Sequence, residues 1–151
     1  MFDGGICGDN NSSEVRCAEV TFTATGAGTY TGSVSVPAGS TLLDIQVQSP
    51  ALWDSAVSAL MNVGDAGDAD GFYAAIDLKA TDLLVDEVIR FGSTGGKEGA
   101  YIVTATGELN SYSATARTIT GVIVATGAGS AGRTRMLVLY VTPTSTAATK
   151  A

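Results

Sequence analysis

The stretch TLLDIQVQS, residues 41–49, has the clearest strand pattern in the chain. Apolar residues at positions 43, 45 and 47 alternate with polar residues at 44, 46 and 48. Successive side chains of a β-strand point to opposite faces of the sheet, so this alternation predicts a strand with one face in a core and the other in solvent. Pro50 follows directly and is expected to end the strand.

Similar short segments recur on both sides of this stretch. The candidate strands are residues 19–25, 29–36, 58–63, 71–78, 88–92, 100–106, 117–126 and 133–142. A helical turn is expected only in residues 79–87, where Thr81 or Asp82 would cap it. Eight or nine regularly spaced strands with essentially no helix predict an all-β chain that folds as a β-sandwich of jelly-roll type.

The last candidate strand is apolar on both faces. One face carries Met136, Val138 and Tyr140, and the other carries Leu137, Leu139 and Val141. Such a strand lies centrally in a two-layer core or is covered by a neighbouring subunit. Met136, Val138 and Tyr140 are therefore candidate interface residues. Trp53, the single tryptophan, is a further candidate, because a large hydrophobe with one polar group serves as a core or interface anchor more readily than as a sugar platform.

The chain is divided into an N-terminal arm (residues 1–17), a sandwich domain (18–143) and a polar C-terminal tail (144–151). The arm is rich in Gly, Asn and Ser, and Phe2 and Ile6 are its sizeable apolar residues. We expect the arm to be disordered in the isolated protein and to be ordered on a partner, where Phe2 and Ile6 would contact an adjacent subunit. Cys7 and Cys17 are expected to be free thiols of a protein made in a reducing cytoplasm, because the first residues lack the pattern of a signal peptide.

Composition excludes several classes of function. The chain has a net charge of −7, and its basic residues are scattered, which argues against binding to nucleic acid. The sequence contains no histidine, so Ser-His-Asp or Cys-His catalysis and His-ligated zinc are absent. The glycine pattern GAGSAG (127–132) stands between two strands, whereas a dinucleotide site requires a helix after it. We predict a non-enzymatic protein without a cofactor and without a membrane-spanning segment.

A cluster of aspartates in NVGDAGDADGF (62–72) has two interpretations. Asp65, Asp68 and Asp70 followed by Gly71 are reminiscent of a calcium loop, since carboxylate oxygens are the ligands that calcium prefers. The flanking segments are predicted strands rather than helices, however, and Ala66 would occupy the first ligand position of an EF-hand. Asp and Gly are also common turn residues, and a turn between two strands is the favoured interpretation.

The order of these segments resembles a known family. The stretches VPAGSTLLDIQVQSPALW, NVGDAGDADGF, DLKATDLL, GGKEGAYI, ATARTITGVI and GRTRMLVLYV together resemble virion structural proteins of tailed bacteriophages, described as head-decoration or cement proteins. The likeness covers roughly residues 19–143.

The resemblance implies a non-enzymatic protein on the outer surface of the capsid. Its implied partners are the major capsid protein, at points where capsomers meet, and further copies of itself in a homotrimer. Two alternatives remain open: a calcium-dependent carbohydrate- or receptor-binding sandwich of a phage fibre, which would use Trp53, and another virion component of the tail or neck.

Overall fold

The computed structural model describes residues 14–102 and 107–143. These residues form eight strands: β1 (Val15–Thr23), β2 (Gly28–Val36), β3 (Thr41–Ala51), β4 (Ser58–Gly64), β5 (Tyr73–Asp77), β6 (Val88–Ile89), β7 (Arg117–Thr126) and β8 (Arg133–Val141). The described ranges contain no helix that is long and apolar enough to cross a membrane.

The strands form two four-stranded antiparallel sheets that pack face to face. Sheet A has the order β1-β8-β3-β6, and sheet B has the order β2-β7-β4-β5. Strands that follow each other along the chain mostly belong to opposite sheets, and the resulting eight-stranded order is that of a jelly roll. The predicted all-β sandwich is therefore confirmed.

The core fills the space between the two inner faces. Gly32 of β2 lies directly opposite Gly121 of β7 in the strand register. A Cβ atom built on Gly32 would lie 2.9 Å from Cζ of Phe22, and one built on Gly121 would lie 3.1 Å from the same atom. Phe22 belongs to β1 in the other sheet, so this pair of glycines makes room for an aromatic ring that crosses the core.

The last strand, β8, is a central strand of sheet A, which is one of the two arrangements predicted for it. β8 pairs with β1 on one side and with β3 on the other. Its inward side chains include Met136 and Val138, which are completely buried, and Tyr140, which is 9% exposed. The opposite face of β8 is only half-buried.

Strand β3 differs from its predicted pattern at both ends. A shift in its pairing with β8 falls between Leu42 and Asp44, so Leu42 is buried and Leu43 is 46% exposed. The prediction that Leu43 shares the inner face with Ile45 and Val47 is wrong for this reason. Pro50 does not end the strand, because a second shift between Gln48 and Ala51 accommodates a residue without an N–H group.

Residues 79–87 form turns rather than the expected helical turn. The carboxylate of Asp82 accepts a hydrogen bond from the backbone N–H of Asp77 (2.7 Å), and the carboxylate of Asp77 accepts one from the N–H of Lys79 (2.8 Å). Side chains that bind nearby backbone groups in this way compete with helix formation.

Two further predicted segments differ from the structure at their ends. Residues 100–102 of the predicted strand 100–106 form a turn, and residues 103–106 lie outside the described residues. At the other end of the chain, β1 begins at Val15, so residues 15–17 of the predicted arm pair with β8.

Candidate interaction surfaces

Asp65 is the centre of the aspartate turn. Its Oδ1 atom accepts hydrogen bonds from the backbone N–H groups of Gly67 (2.9 Å) and Asp68 (3.2 Å). The turn is closed by a backbone bond from the N–H of Asp65 to the carbonyl of Asp68 (2.9 Å). These are the local bonds through which aspartate stabilises a turn.

Distant parts of the chain also bind Asp65. The hydroxyl of Tyr101 donates to Oδ1 (2.9 Å), and Nη1 of Arg117 lies 3.7 Å from Oδ2. Both members of the Asp65–Arg117 pair are only 11% exposed. Burial is the largest cause that raises the pKa of Tyr101 and lowers the pKa of Arg117. The carboxylate thus joins the turn to β7 and to the segment that follows Gly99.

The other two aspartates do not converge with Asp65. Oδ1 of Asp68 accepts a hydrogen bond from the N–H of Asp70 (3.4 Å), and the nearby Asp68 carboxyl raises the pKa of Asp70. In residues 14–102 and 107–143, no three Asp, Glu or Cys side chains are grouped so that they could hold a metal ion. A cation at Asp65 would have to displace donors that the protein itself supplies.

The structure places four of the six predicted interface residues in the core. Trp53 is 2% exposed, its Nε1 atom donates to the hydroxyl of Thr134 (2.9 Å), and its ring packs edge-on against Tyr30 at a centroid distance of 5.0 Å. Met136, Val138 and Tyr140 are buried as described above. A partner could reach these four side chains only if the sandwich opened, so their observed position corresponds to the core alternative.

The burial of Trp53 argues against its use as a sugar platform, because the residue is only 2% exposed. Phe2 and Ile6, the other two predicted interface residues, lie outside the described residues.

The accessible face of β8 carries a cluster of apolar side chains. We call this cluster the β8 patch; it consists of Val15, Cys17, Leu43, Leu137, Leu139 and Val141. The strand register places Val15 beside Val141 and Cys17 beside Leu139. Val15 is 58% exposed, whereas Leu137, Leu139 and Val141 are half-buried. Cys17 is an exposed free thiol.

Polar and charged side chains border the β8 patch. Glu19 and Arg135 form an ion pair on the same face. On the β3 side, the carboxylate of Asp44 lies opposite Leu139 and accepts a hydrogen bond from the N–H of Phe91 (2.9 Å). An apolar centre with a polar border is the usual composition of a protein–protein contact surface.

The sequence partly revealed this surface. The second apolar face of β8 was visible in the alternation of residues 133–142. Val15 was missed because it belongs to the predicted arm, and the exposure of Leu43 was missed because the shift in β3 was not recognised. The doubled leucine at positions 42 and 43, which interrupts strict alternation, was the available signal for that shift.

Both described ends of the chain lie next to the β8 patch. Val15, near the start of the described residues, pairs with Val141, near their end. The described part of the chain therefore begins and ends at the same end of sheet A.

Comparisons with known proteins find similar folds in phage capsids. A chain in the structure titled "Cyanophage Pam1 capsid asymmetric unit" aligns with a TM-score of 0.61 and 21% identity, over 95% of this chain and 93% of that one. A chain in the structure titled "Acidic stable capsid structure of Helicobacter pylori bacteriophage KHP30" aligns with a TM-score of 0.57 and 12% identity, over 84% and 86% of the two chains. No protein-family model matches the sequence, and no curated protein matches it. The resemblance to phage virion structural proteins is thus confirmed at the level of the fold.

Proposed function

We propose that this chain is a non-enzymatic structural protein of a bacteriophage virion, and specifically a decoration or cement protein on the outer surface of the capsid. It binds the major capsid protein, stabilises contacts between capsomers and acts as a homotrimer. The main support is that its jelly roll aligns with a chain of a phage capsid structure over nearly the whole length of both.

A shared fold does not by itself define a function, so the surface must also suit the role. The β8 patch offers an apolar contact area on one side of the sandwich. Burying the exposed parts of Val15 and Leu43 would contribute roughly 1–2 kcal/mol each, on the basis of about 1.5–3 kcal/mol for a side chain that is fully exposed beforehand. We propose that this patch faces the shell.

The N-terminal residues would add to the same contact. The described chain begins beside the β8 patch, and in the sequence before it Phe2 and Ile6 supply apolar side chains that a neighbouring subunit could bury. We propose that this arm crosses an adjacent subunit of the particle. The arm is thus shorter than residues 1–17, because residues 15–17 belong to β1.

The proposed attachment can be tested by cosedimentation with shells that lack this protein, prepared from the phage that encodes it. Val15→Asp places a charge on a largely exposed side chain of the β8 patch, and we expect shell affinity to fall at least tenfold while the melting temperature changes little. Leu84→Asp is the matched control, because Leu84 is 50% exposed in the turn before β6, near Ser49 at the other end of β3. Equal shell binding by Val15→Asp and the wild type would contradict the proposed attachment face.

A further inference from the structure

The edge strands β1 and β2 lie on the same side of the sandwich, and the core is incompletely covered there. The two strands face each other across the sheets, since a Cβ atom built on Gly32 of β2 would lie 2.4 Å from Cγ1 of Val20 in β1. Ala18 and Val20 of β1 and Tyr30 of β2 pack against the core but are only half-buried. We call these three side chains the open side. A further strand along the open side would bury them.

β2 is the long edge strand that lacks protection against pairing. Within residues 14–102 and 107–143, the two sheets end in β1, β6, β2 and β5. β6 has two residues, β5 is short and its Tyr73 bridges Glu98, and β1 carries Arg16 and Glu19. β2 has nine residues with no charge and no proline, and its pairing with β7 has no shift. Natural edge strands are usually protected by charge, proline, a bulge or short length, so the β2 edge indicates a site for a further strand.

The sequence before the described chain contains a segment with the right pattern for this site. In MFDGGIC, residues 1–7, Phe2 and Ile6 are four positions apart and would share one face of an extended strand, whereas Asp3 and Cys7 would lie on the other face. A strand paired with β2 in this orientation directs Phe2 and Ile6 toward the open side and Asp3 toward solvent. The two apolar side chains would thus complete the core where it is half-exposed.

Chain length and direction favour a second copy over pairing within one copy. Every strand pair of the sandwich is antiparallel, and β1 begins at the end of the sandwich where β2 ends, because residues 24–27 join the two strands. Antiparallel pairing with β2 of the same copy would place residue 7 at the far end of β2. Residues 8–14 span at most about 25 Å, and residues 1–7 as a strand cover about 23 Å. The return to β1 would leave no length for the reversal of direction.

We propose that residues 1–7 of one copy pair with the β2 edge of a second copy, as an added strand of sheet B that covers the open side. Addition of an extended segment to a sheet edge is a recurring mode of protein recognition. The segment and the edge are two different patches, so repetition of this contact from copy to copy can close a ring. The β2 edge lies between the outer faces of the two sheets, so copies that attach through the β8 patch can still meet side by side. This inference rests on the proposed homotrimer and names the surface that receives the arm.

Disulfide trapping in the full chain tests the pairing, because Cys7 lies within the proposed strand. In a Cys17→Ser background, one thiol is added to the exposed face of β2, on which Cys7 would also lie. The variants are Thr29→Cys, Thr31→Cys, Ser33→Cys and Ser35→Cys, one at a time, so that each register is sampled. Neighbours on one face of paired strands are close enough for a disulfide. Thr21→Cys is the matched control, because Thr21 is exposed on β1, the other long edge.

The chains are oxidised with diamide, in solution and bound to shells, and separated on a non-reducing gel. We expect at least one β2 variant to give tenfold more linked trimer than Thr21→Cys, with mass spectrometry identifying bonds between Cys7 and the new thiol. The background variant has one thiol per chain and can give only dimers. Ile6→Asp should reduce the linking at least tenfold, whereas Ser12→Asp, which adds the same charge outside residues 1–7, should leave it unchanged.

Four outcomes would overturn the inference. They are the absence of linked chains both in solution and on shells, equal linking by Thr21→Cys and the β2 variants, bonds formed only within one chain, and linking that Ile6→Asp leaves unchanged. Cosedimentation with shells is measured in parallel. Linked trimers of a chain that does not bind shells would support the strand addition and count against the proposed attachment, whereas shell binding without links would count against the strand addition alone.

Discussion

Replacing Gly32 by alanine tests the packing of the two sheets. A Cβ atom on Gly32 would lie 2.4 Å from Cγ1 of Val20 and 2.9 Å from Cζ of Phe22. Both neighbours belong to β1 in the opposite sheet, so the added methyl group forces either the ring or the sheets to move. We expect Gly32→Ala to reduce the free energy of unfolding by about 1–3 kcal/mol, the usual cost of overpacking a core.

Equilibrium unfolding in urea measures this effect. Gly92→Ala is the control, because a Cβ atom on Gly92 meets nothing within 4 Å and its backbone is not in the left-handed region. The control should be neutral or stabilised by up to about 1 kcal/mol, since alanine restricts the unfolded chain.

A double variant identifies the cause. Val20→Ala removes the methyl group nearest to the new Cβ, so it should cost less in the Gly32→Ala background than in the wild type, with a coupling energy of about 0.5–3 kcal/mol. Wild-type stability for Gly32→Ala, or additive effects in the double variant, would refute the packing described for this site.

Four further outcomes are expected. The pKa of Tyr73 is raised, first of all by burial, so the unfolded chain loses its phenolic proton at lower pH than the folded chain does. The stability that Tyr73 contributes is therefore complete below its ordinary pKa of 10.0 and falls as the pH rises above that value. Tyr73→Phe should flatten this fall in alkaline urea titrations. Asp65→Ala should destabilise the fold by about 1–3 kcal/mol in the same assay, because it removes the acceptor of the Tyr101 hydroxyl and the ion-pair partner of Arg117. A chelator should shift the melting temperature by no more than about 1–2 °C. If the protein bound calcium present at a hundredfold excess over its dissociation constant, removing the ion would instead lower the free energy of unfolding by about 2.7 kcal/mol. Deletion of residues 1–13 should leave the melting temperature nearly unchanged but weaken cosedimentation with shells, and shell binding as tight as that of the full chain would contradict a role for the arm.

Local sequence patterns were sufficient to predict the class of fold. The alternation in residues 41–49 identified a strand with one solvated face. The apolar character of both faces of residues 133–142 identified a central strand. Strand pairing in a jelly roll joins distant segments, but the number and spacing of the strands limited the possible architectures enough to identify it.

The errors arose where contacts distant in sequence decide the structure. Tyr101 lies in an apolar segment typical of a strand, but its N–H binds the carbonyl of Gly71 and its hydroxyl binds Asp65, which holds it in a turn. The aspartate turn was recognised, but its link to Arg117 was not, because that link depends on the position of β7. Alternation also does not indicate which apolar face of β8 is buried, and the predicted interface residues were therefore taken from the inner face.

Cryo-electron microscopy of particles with and without this protein tests the proposed function most directly. The account predicts difference density on the outer surface of the capsid that fits the eight-stranded sandwich, with the β8 patch toward the shell. Density for this chain in the tail or neck, or on the shell with sheet A turned toward solvent, would contradict it.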